Sequence, residues 1–312
     1  MTITQLKYVL AVAQYQNFTK AANKVFVTQP TLSMQIQKLE DELDVQIFDR
    51  TKKPIELTET GRKIVQQAHN IVNESDRIQD IVDQEKGFIG GDFKIGVIPT
   101  VMPTLLPMFL TNFINRYPKV RLRIEELTTE NIVDGLMEGS IDAAIAATPL
   151  ENDFIKERVL YFEPFVSYDP KNSLNGKGKI KVDDLNTDEL LLLEDGHCFK
   201  DSVLNLCRSS RDADEERFML ESGSFETLIK LSDEGLGTTL LPYLNTLDLS
   251  EAKAKNLRHF EDPSPAREIS LIYHKSGLKM QIIDALQEVI AGVIKGAITF
   301  SNVEIISPLS KK

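Results

Sequence analysis

Two cysteines, Cys198 and Cys207, occur among 312 residues, too few for a disulfide scaffold. A cysteine outside such a scaffold either packs as a small inert hydrophobe or reacts through its thiolate. In Leu191-Leu-Leu-Glu-Asp-Gly-His-Cys-Phe-Lys-Asp201 the first cysteine follows an apolar, strand-like run, sits beside His197 and opens what reads as a helix. Helix N-terminal N–H groups, a His197 cation and Lys200 would favour the thiolate, whereas Asp195 and Asp201 oppose it unless they orient a donor. Gly196 permits a tight turn that leaves the sulfur approachable. Cys207 comes nine residues later, after Ser202-Val-Leu-Asn-Leu206. If that stretch is helical, the two Cα atoms stand roughly 13 Å apart, against the about 4.4 to 6.8 Å that a disulfide needs. Joining the sulfurs would then unwind the segment, turning a chemical event into a change of shape. Two buried, inert thiols are compatible with the same residues.

These side chains need a scaffold. From residue 93 onward, apolar runs at 93–98, 122–126 and 143–147 alternate with amphipathic segments at 105–115 and 132–138, the rhythm of strand and crossover helix in an α/β sheet. Further strands are expected near 158–168, 190–193 and 238–241, with 269–273 returning the chain to the first half. Two α/β lobes with a cleft between them would bind a small ligand at strand ends and helix N-termini. Thr100 and Thr129 stand at two candidate helix starts facing that cleft, as N-caps, as neighbours of a polar ligand, or as both.

The first 65 residues differ from the rest in charge: nine Lys and Arg face seven Asp and Glu there, so the net −11 of the chain divides into +2 and −13. A basic head on an acidic body points to nucleic acid at the head. Leu6, Val9, Leu10 and Ala13 predict a helix over 4–16, and a second follows at 18–24 with Ala21-Ala22 allowing close approach. A third begins with Thr28 as N-cap and Pro30 in its first turn. On this helix Leu32, Ile36, Leu39 and Leu43 form the expected buried stripe. Pro30, Thr31, Met34 and Lys38 lie opposite, flanked by Gln35 and Gln37, and Glu40, Asp41, Glu42 and Asp44 are held to the C-terminal half. That polarity suits entry into a DNA major groove by the N-terminal half, and would equally suit the solvated face of a three-helix bundle. Residues 46–50, 51–54 and 55–57 read as strand, turn and strand, a wing whose Arg50, Lys52 and Lys53 would meet phosphates.

Thr58 can cap a helix reaching residue 84, with Ile64, Ala68, Ile71, Ser75, Ile78 and Val82 alternating at four and three. Such a seam expects a partner helix from a second subunit. Gly87, Gly90 and Gly91 break it. At 42% hydrophobic residues the chain reads as globular, with about two or three domains. Met1 to Tyr15 shows no basic start plus apolar core, and no later run reaches about 18 apolar residues, so a cytoplasmic protein without a membrane span is expected.

Phe18-Thr-Lys-Ala-Ala22, Val27-Thr-Gln-Pro-Thr-Leu-Ser33, Ile36-Gln-Lys-Leu-Glu40, Leu43, Phe48-Asp-Arg50 and Leu57-Thr-Glu-Thr-Gly61 resemble, without gaps, the winged helix-turn-helix head of LysR-type transcriptional regulators. Leu193-Glu-Asp-Gly-His-Cys-Phe-Lys-Asp201 with Cys207, Ile95-Gly-Val-Ile-Pro-Thr-Val101 and Gly237-Thr-Thr-Leu-Leu-Pro242 are similar to the hydrogen-peroxide-sensing members of that family. The likeness runs to about Tyr273 and leaves the tail after Gly296 unmatched. It implies an α+β multidomain fold: a winged helix-turn-helix over 1–58, a linker and dimerisation helix over 59–86, and a two-lobed α/β effector domain over 91–300. That domain would resemble a periplasmic binding protein, with lobe I at about 91–160 plus 268–300, lobe II at about 161–267, and a tail at 301–312. The resemblance further implies Gln29, Pro30, Thr31, Ser33 and Gln35 at the DNA surface, with Arg50 on the backbone. Cys198 would be the peroxidatic thiolate and Cys207 its resolving partner, with Thr100, Thr129, His197, Asp201 and Arg267 around the peroxide. It implies double-stranded DNA as partner, hydrogen peroxide as signal, a homotetramer built from dimers, and a thiol reductant such as glutaredoxin or thioredoxin. The product of the switch would be control of oxidative-stress defence genes, with no cofactor, no metal and no enzymatic turnover. Two rivals are a LysR-type regulator that answers a small anionic metabolite with its cysteines incidental, and a thiol peroxidase.

Overall fold

In the computed structural model, which describes residues 1–85, 89–171, 178–185, 189–193, 198–207, 224–277, 279–298 and 302–309, the chain divides into two compact units. They are Met1–Phe88 with Met137–Ser140, and Ile89–Leu136 with Ile141–Lys312. In the first, Thr2 and Gln5 cap each other at the start of α1 (Ile3–Tyr15). Asn17 and Thr28 cap α2 (Phe18–Lys24) and α3 (Gln29–Leu43) by accepting from the amides of Lys20 and Thr31, which satisfies donors that a helix start leaves open. Buried Ala21 and Ala22 let the helices close over Leu6, Val9, Val12, Leu32, Ile36 and Leu39.

The apolar stripe of α3 ends one turn earlier than its spacing suggests. Leu43 is 39% exposed, while Glu40 is 4% exposed. The cause is the left-handed cap at Asp44 (φ 53°), which sends the chain back so that the Val45 amide reaches the Glu40 carbonyl. The returning strand then covers Glu40, not Leu43. The expected wing strands shorten to β1 (Phe48–Asp49) and β2 (Glu56–Leu57), an antiparallel pair. Their flanking amides are committed elsewhere, that of Ile47 to the Glu40 carboxylate and that of Ile55 to the Gln16 carbonyl. Thr58 accepts from the Gly61 amide at 2.8 Å and starts α4 (Glu59–Glu85). Ala68 and Val72 of α4 are buried in the head's own core, with Ile64 and Ile71 packed beside them. The first half of the seam expected to meet another subunit therefore serves the head, and only Ile78, Ile81 and Val82 stand exposed further along.

The second unit alternates as expected through β3 (Gly91–Val97), α5 (Met102–Arg116), β4 (Val120–Glu126), α6 (Thr129–Glu138) and β5 (Ala143–Thr148). It continues with β6 (Ile155–Tyr168), β7 (Leu190–Leu191), α7 (Cys198–Cys207), α8 (Phe225–Asp233), β8 (Thr238–Pro242), α9 (Glu251–Ala254), β9 (Leu257–His259), β10 (Ser264–His274), α10 (Met280–Ala297) and β11 (Val303–Ile305). The strand order is β4-β3-β5-β10-β6-β8-β7, with β11 on β10 and β9 on β6. β3 is parallel to β4 and β5, whereas β10 is antiparallel to β5 and β6. Every residue of β5 is buried, which is why it reads as a continuous apolar run. β6 belongs to two cores. Ile155 and Tyr161 lie in one with Phe93, Phe109, Ile145 and Leu286; Phe165 and Tyr168 lie in the other with Phe199, Val203 and Leu240. The segment after α10, unmatched in the resemblance, is part of the sheet through β11.

Candidate functional site

Arg267 on β10 lies opposite Glu163 on β6 in the antiparallel register. Each side chain is 1% exposed, and Arg267 donates to Glu163 Oε2 from Nε at 2.9 Å and Nη2 at 2.7 Å. Two buried charges are tolerated only when their remaining groups are also satisfied. Here Leu244 N donates to Glu163 Oε1 at 2.9 Å, and Arg267 donates to Thr100 from Nη1 to Oγ1 at 2.8 Å and from Nη2 to the carbonyl at 3.2 Å. These bonds use four of the five guanidinium hydrogens, leaving one on Nη1 without an acceptor among the described residues. The guanidinium carbon lies 5.2 Å from the centroid of the Phe199 ring, a cation–π distance. Phe199 is the neighbour of Cys198 in the first turn of α7.

Two elements of the second unit therefore deliver a fixed cation to the start of the helix that Cys198 opens. The side chains of Cys198 and Cys207 themselves lie outside the described residues. Cys207 ends the same helix, so the two Cα atoms are separated by about 13 Å at about 1.5 Å per residue. Asp201 stands exposed in the first turn of α7. His197, with Asp195 and Gly196, lies outside the described residues, as do Gly87 and Arg208.

Neither threonine is the N-cap. Thr100 precedes the cap residue Val101 of α5 and is buried against Arg267 instead. Thr129 is the first residue of α6, and its neighbour Thr128 accepts from the Asn131 amide. The Thr129 hydroxyl is buried without a hydrogen-bond partner among the described residues, as is the Tyr161 hydroxyl. Burial, reinforced by the Glu163 carboxylate, holds the Tyr161 phenol well above its ordinary range, so it stays protonated. Glu163 is a site residue that pattern reading passes over. Its signal is a lone carboxylate inside the apolar run Val159 to Tyr168, since a charge within a buried strand needs a partner.

On the head, Gln29, Pro30 and Thr31 are exposed at the start of α3, with Ser33 and Gln35 half-buried behind them. Lys52 and Lys53 are exposed at the wing. Arg50 is held: it donates to Glu40 Oε2 at 2.7 Å and to Ser33 Oγ at 3.4 Å, and it stacks on Phe18 at 5.1 Å. The same Glu40 accepts from the amides of Ile47 at 2.7 Å and Phe48 at 3.2 Å, so one buried carboxylate ties α3 to the wing.

Residues 3–62 match the family described as bacterial regulatory helix-turn-helix protein, lysR family, and residues 86–293 match the LysR substrate binding domain. The DNA-binding transcriptional dual regulator OxyR of Escherichia coli K12 is 33% identical over 300 residues, covering 95% of this chain and 97% of the relative. The hydrogen peroxide-inducible genes activator of Pectobacterium carotovorum is 32% identical over 300 residues, covering 95% of this chain and 99% of the relative. Among solved structures, a full-length OxyR variant from Pseudomonas aeruginosa superposes with a TM-score of 0.78 at 33% identity, covering 93% of this chain and 98% of that one. A hydrogen-peroxide-bound OxyR variant from Corynebacterium glutamicum gives 0.59 at 28% identity, covering 96% and 97%. No described helix is long and apolar enough to cross a membrane.

Proposed function

The chain belongs to the LysR family of bacterial transcription regulators, whose members are not enzymes, and we propose that it binds double-stranded DNA and switches transcription of oxidative-stress defence genes in response to hydrogen peroxide. The observation that carries this reading is the buried Arg267, fixed by Glu163 and Thr100 and stacked on the residue next to Cys198. In this reading the Cys198 thiolate attacks one peroxide oxygen. The S–O bond forms as the O–O bond breaks, and hydroxide leaves and takes a proton to become water. The remaining Nη1 hydrogen of Arg267, with Thr100, Thr129, His197 and Asp201 around it, orients the peroxide and stabilises the leaving oxygen.

Cys207 sulfur then attacks the sulfenic sulfur, forming S–S and releasing water. The ends of α7 must close from about 13 Å to within about 6.8 Å, so the oxidised chain cannot keep this helix. That rearrangement shifts the packing of effector domains in a tetramer made of two dimers, each joined through α4, and so the spacing of the DNA heads. A thiol reductant such as glutaredoxin or thioredoxin returns two electrons and resets the switch. At the head, Gln29, Pro30, Thr31, Ser33 and Gln35 face base edges, while Arg50, Lys52 and Lys53 meet phosphates, Arg50 being oriented by its ion pair with Glu40.

Cys198→Ser separates this reading from a metabolite-responsive regulator. In a promoter-binding and reporter assay, the variant should bind DNA like the reduced wild type and lose all response to peroxide. A response that survives Cys198→Ser would assign the signal to another ligand.

A further inference from the structure

Residues 302–309 connect the strand of Arg267 to the helix of the cysteines. β11 pairs in parallel with β10, Val303 opposite Ser264 and Ile305 opposite Ala266, one residue short of Arg267. The Ile306 amide donates to the Ala266 carbonyl at 2.8 Å, and its side chain packs on the core that contains Phe199, Val203 and Leu206 of α7. Past β11, the Ser307 and Leu309 carbonyls both accept from Nδ2 of Asn205, at 3.0 and 2.9 Å. Asn205 lies two residues before Cys207 on α7, so one side chain fastens the resolving end of the helix to a segment that the sheet itself holds.

We propose that residues 302–309 latch α7 in its dithiol form, with Asn205 as the positioning residue that sets how readily Cys198 and Cys207 join. The proposal rests on the disulfide switch proposed above. Because the sulfurs cannot meet while α7 is a ten-residue helix, forming S–S moves Asn205 and breaks both of its bonds to the strap. The latch therefore contributes free energy to the dithiol state alone. Removing it favours the disulfide, for the same two-electron exchange in which the sulfurs lose two electrons and two protons to an oxidised thiol couple.

The test uses the full chain, Asn205→Asp, which keeps the shape but loses both donors, and a chain ended after Asn302. Each is equilibrated in graded mixtures of dithiothreitol and its oxidised form, and dithiol and disulfide are counted by alkylation and mass. Both variants should shift the equilibrium toward the disulfide by about tenfold, a potential more negative by about 30 mV for a two-electron couple. In melting experiments, each should lower the dithiol form more than the disulfide form. A merely structural role would lower both forms alike and leave the potential unmoved, and that result, or a shift the other way, overturns the latch. If wild type and both variants form no disulfide in any mixture, the switch beneath it is wrong and the latch falls with it. A wild-type disulfide whose potential the variants share removes the latch alone.

Discussion

A buried guanidinium has to be held by something, and here Glu163 and Thr100 hold Arg267. Glu163→Ala leaves that charge unpaired, and urea denaturation should show a loss of about 3–5 kcal/mol. Thr100→Val removes one acceptor, with an expected cost of about 1–3 kcal/mol, and should slow consumption of peroxide by the dithiol form because at residue 100 Arg267 keeps only its bond to the backbone carbonyl. Thr100 and Arg267 were named through resemblance, yet the contact between them was not, because it depends on β10 lying beside β5 and β5 beside β3, and no local pattern encodes that order. A titrating pair offers a separate check. Burial and the Asp233 carboxylate push the Tyr168 phenol up to about 12, from an ordinary value of 10.0, while its hydroxyl donates to Asp233 at 2.5 Å. Since the folded value is the raised one, this contribution is intact below pH 10 and lost as pH rises toward 12. The stability of wild type relative to Tyr168→Phe should therefore fall between pH 10 and pH 12 in chemical denaturation, and a constant difference would contradict the assignment.

At the scale of elements, periodicity located α1 to α4, whose caps Thr2, Asn17, Thr28 and Thr58 are local chemistry, but passed over α8, α9 and the 18-residue α10. It misjudged the end of α3, where the αL cap at Asp44 brings the chain back over Glu40, a tertiary event with no sequence period. Gly61 marks how tightly α4 meets the wing: a Cβ there would stand 2.1 Å from the Ile47 carbonyl oxygen. Gly61→Ala should thus destabilise the head, read as a lower melting temperature and weaker DNA binding together. The wing lysines make a different kind of contribution. Replacing Lys52 and Lys53 by alanine should flatten the slope of log K against log salt for duplex DNA by about 1.8 if both meet phosphates. An unchanged slope in fluorescence anisotropy would take the wing off the DNA.

For the whole molecule, the account makes α7 the joint between chemistry and assembly. Ile78, at 66% exposure, is the most exposed of the apolar residues left along α4. If this face joins two subunits, Ile78→Asp should shift sedimentation toward monomer without unfolding the effector domain. The central claim is that peroxide joins the two ends of α7. The most direct measurement treats the reduced full chain with one equivalent of hydrogen peroxide and maps the products by intact and peptide mass, with Cys198→Ser and Cys207→Ser alongside. The account predicts loss of two hydrogens located to a Cys198–Cys207 crosslink, a trapped sulfenic acid at Cys198 when Cys207 is serine, and no reaction when Cys198 is serine. Unmodified thiols in the wild-type chain would contradict it.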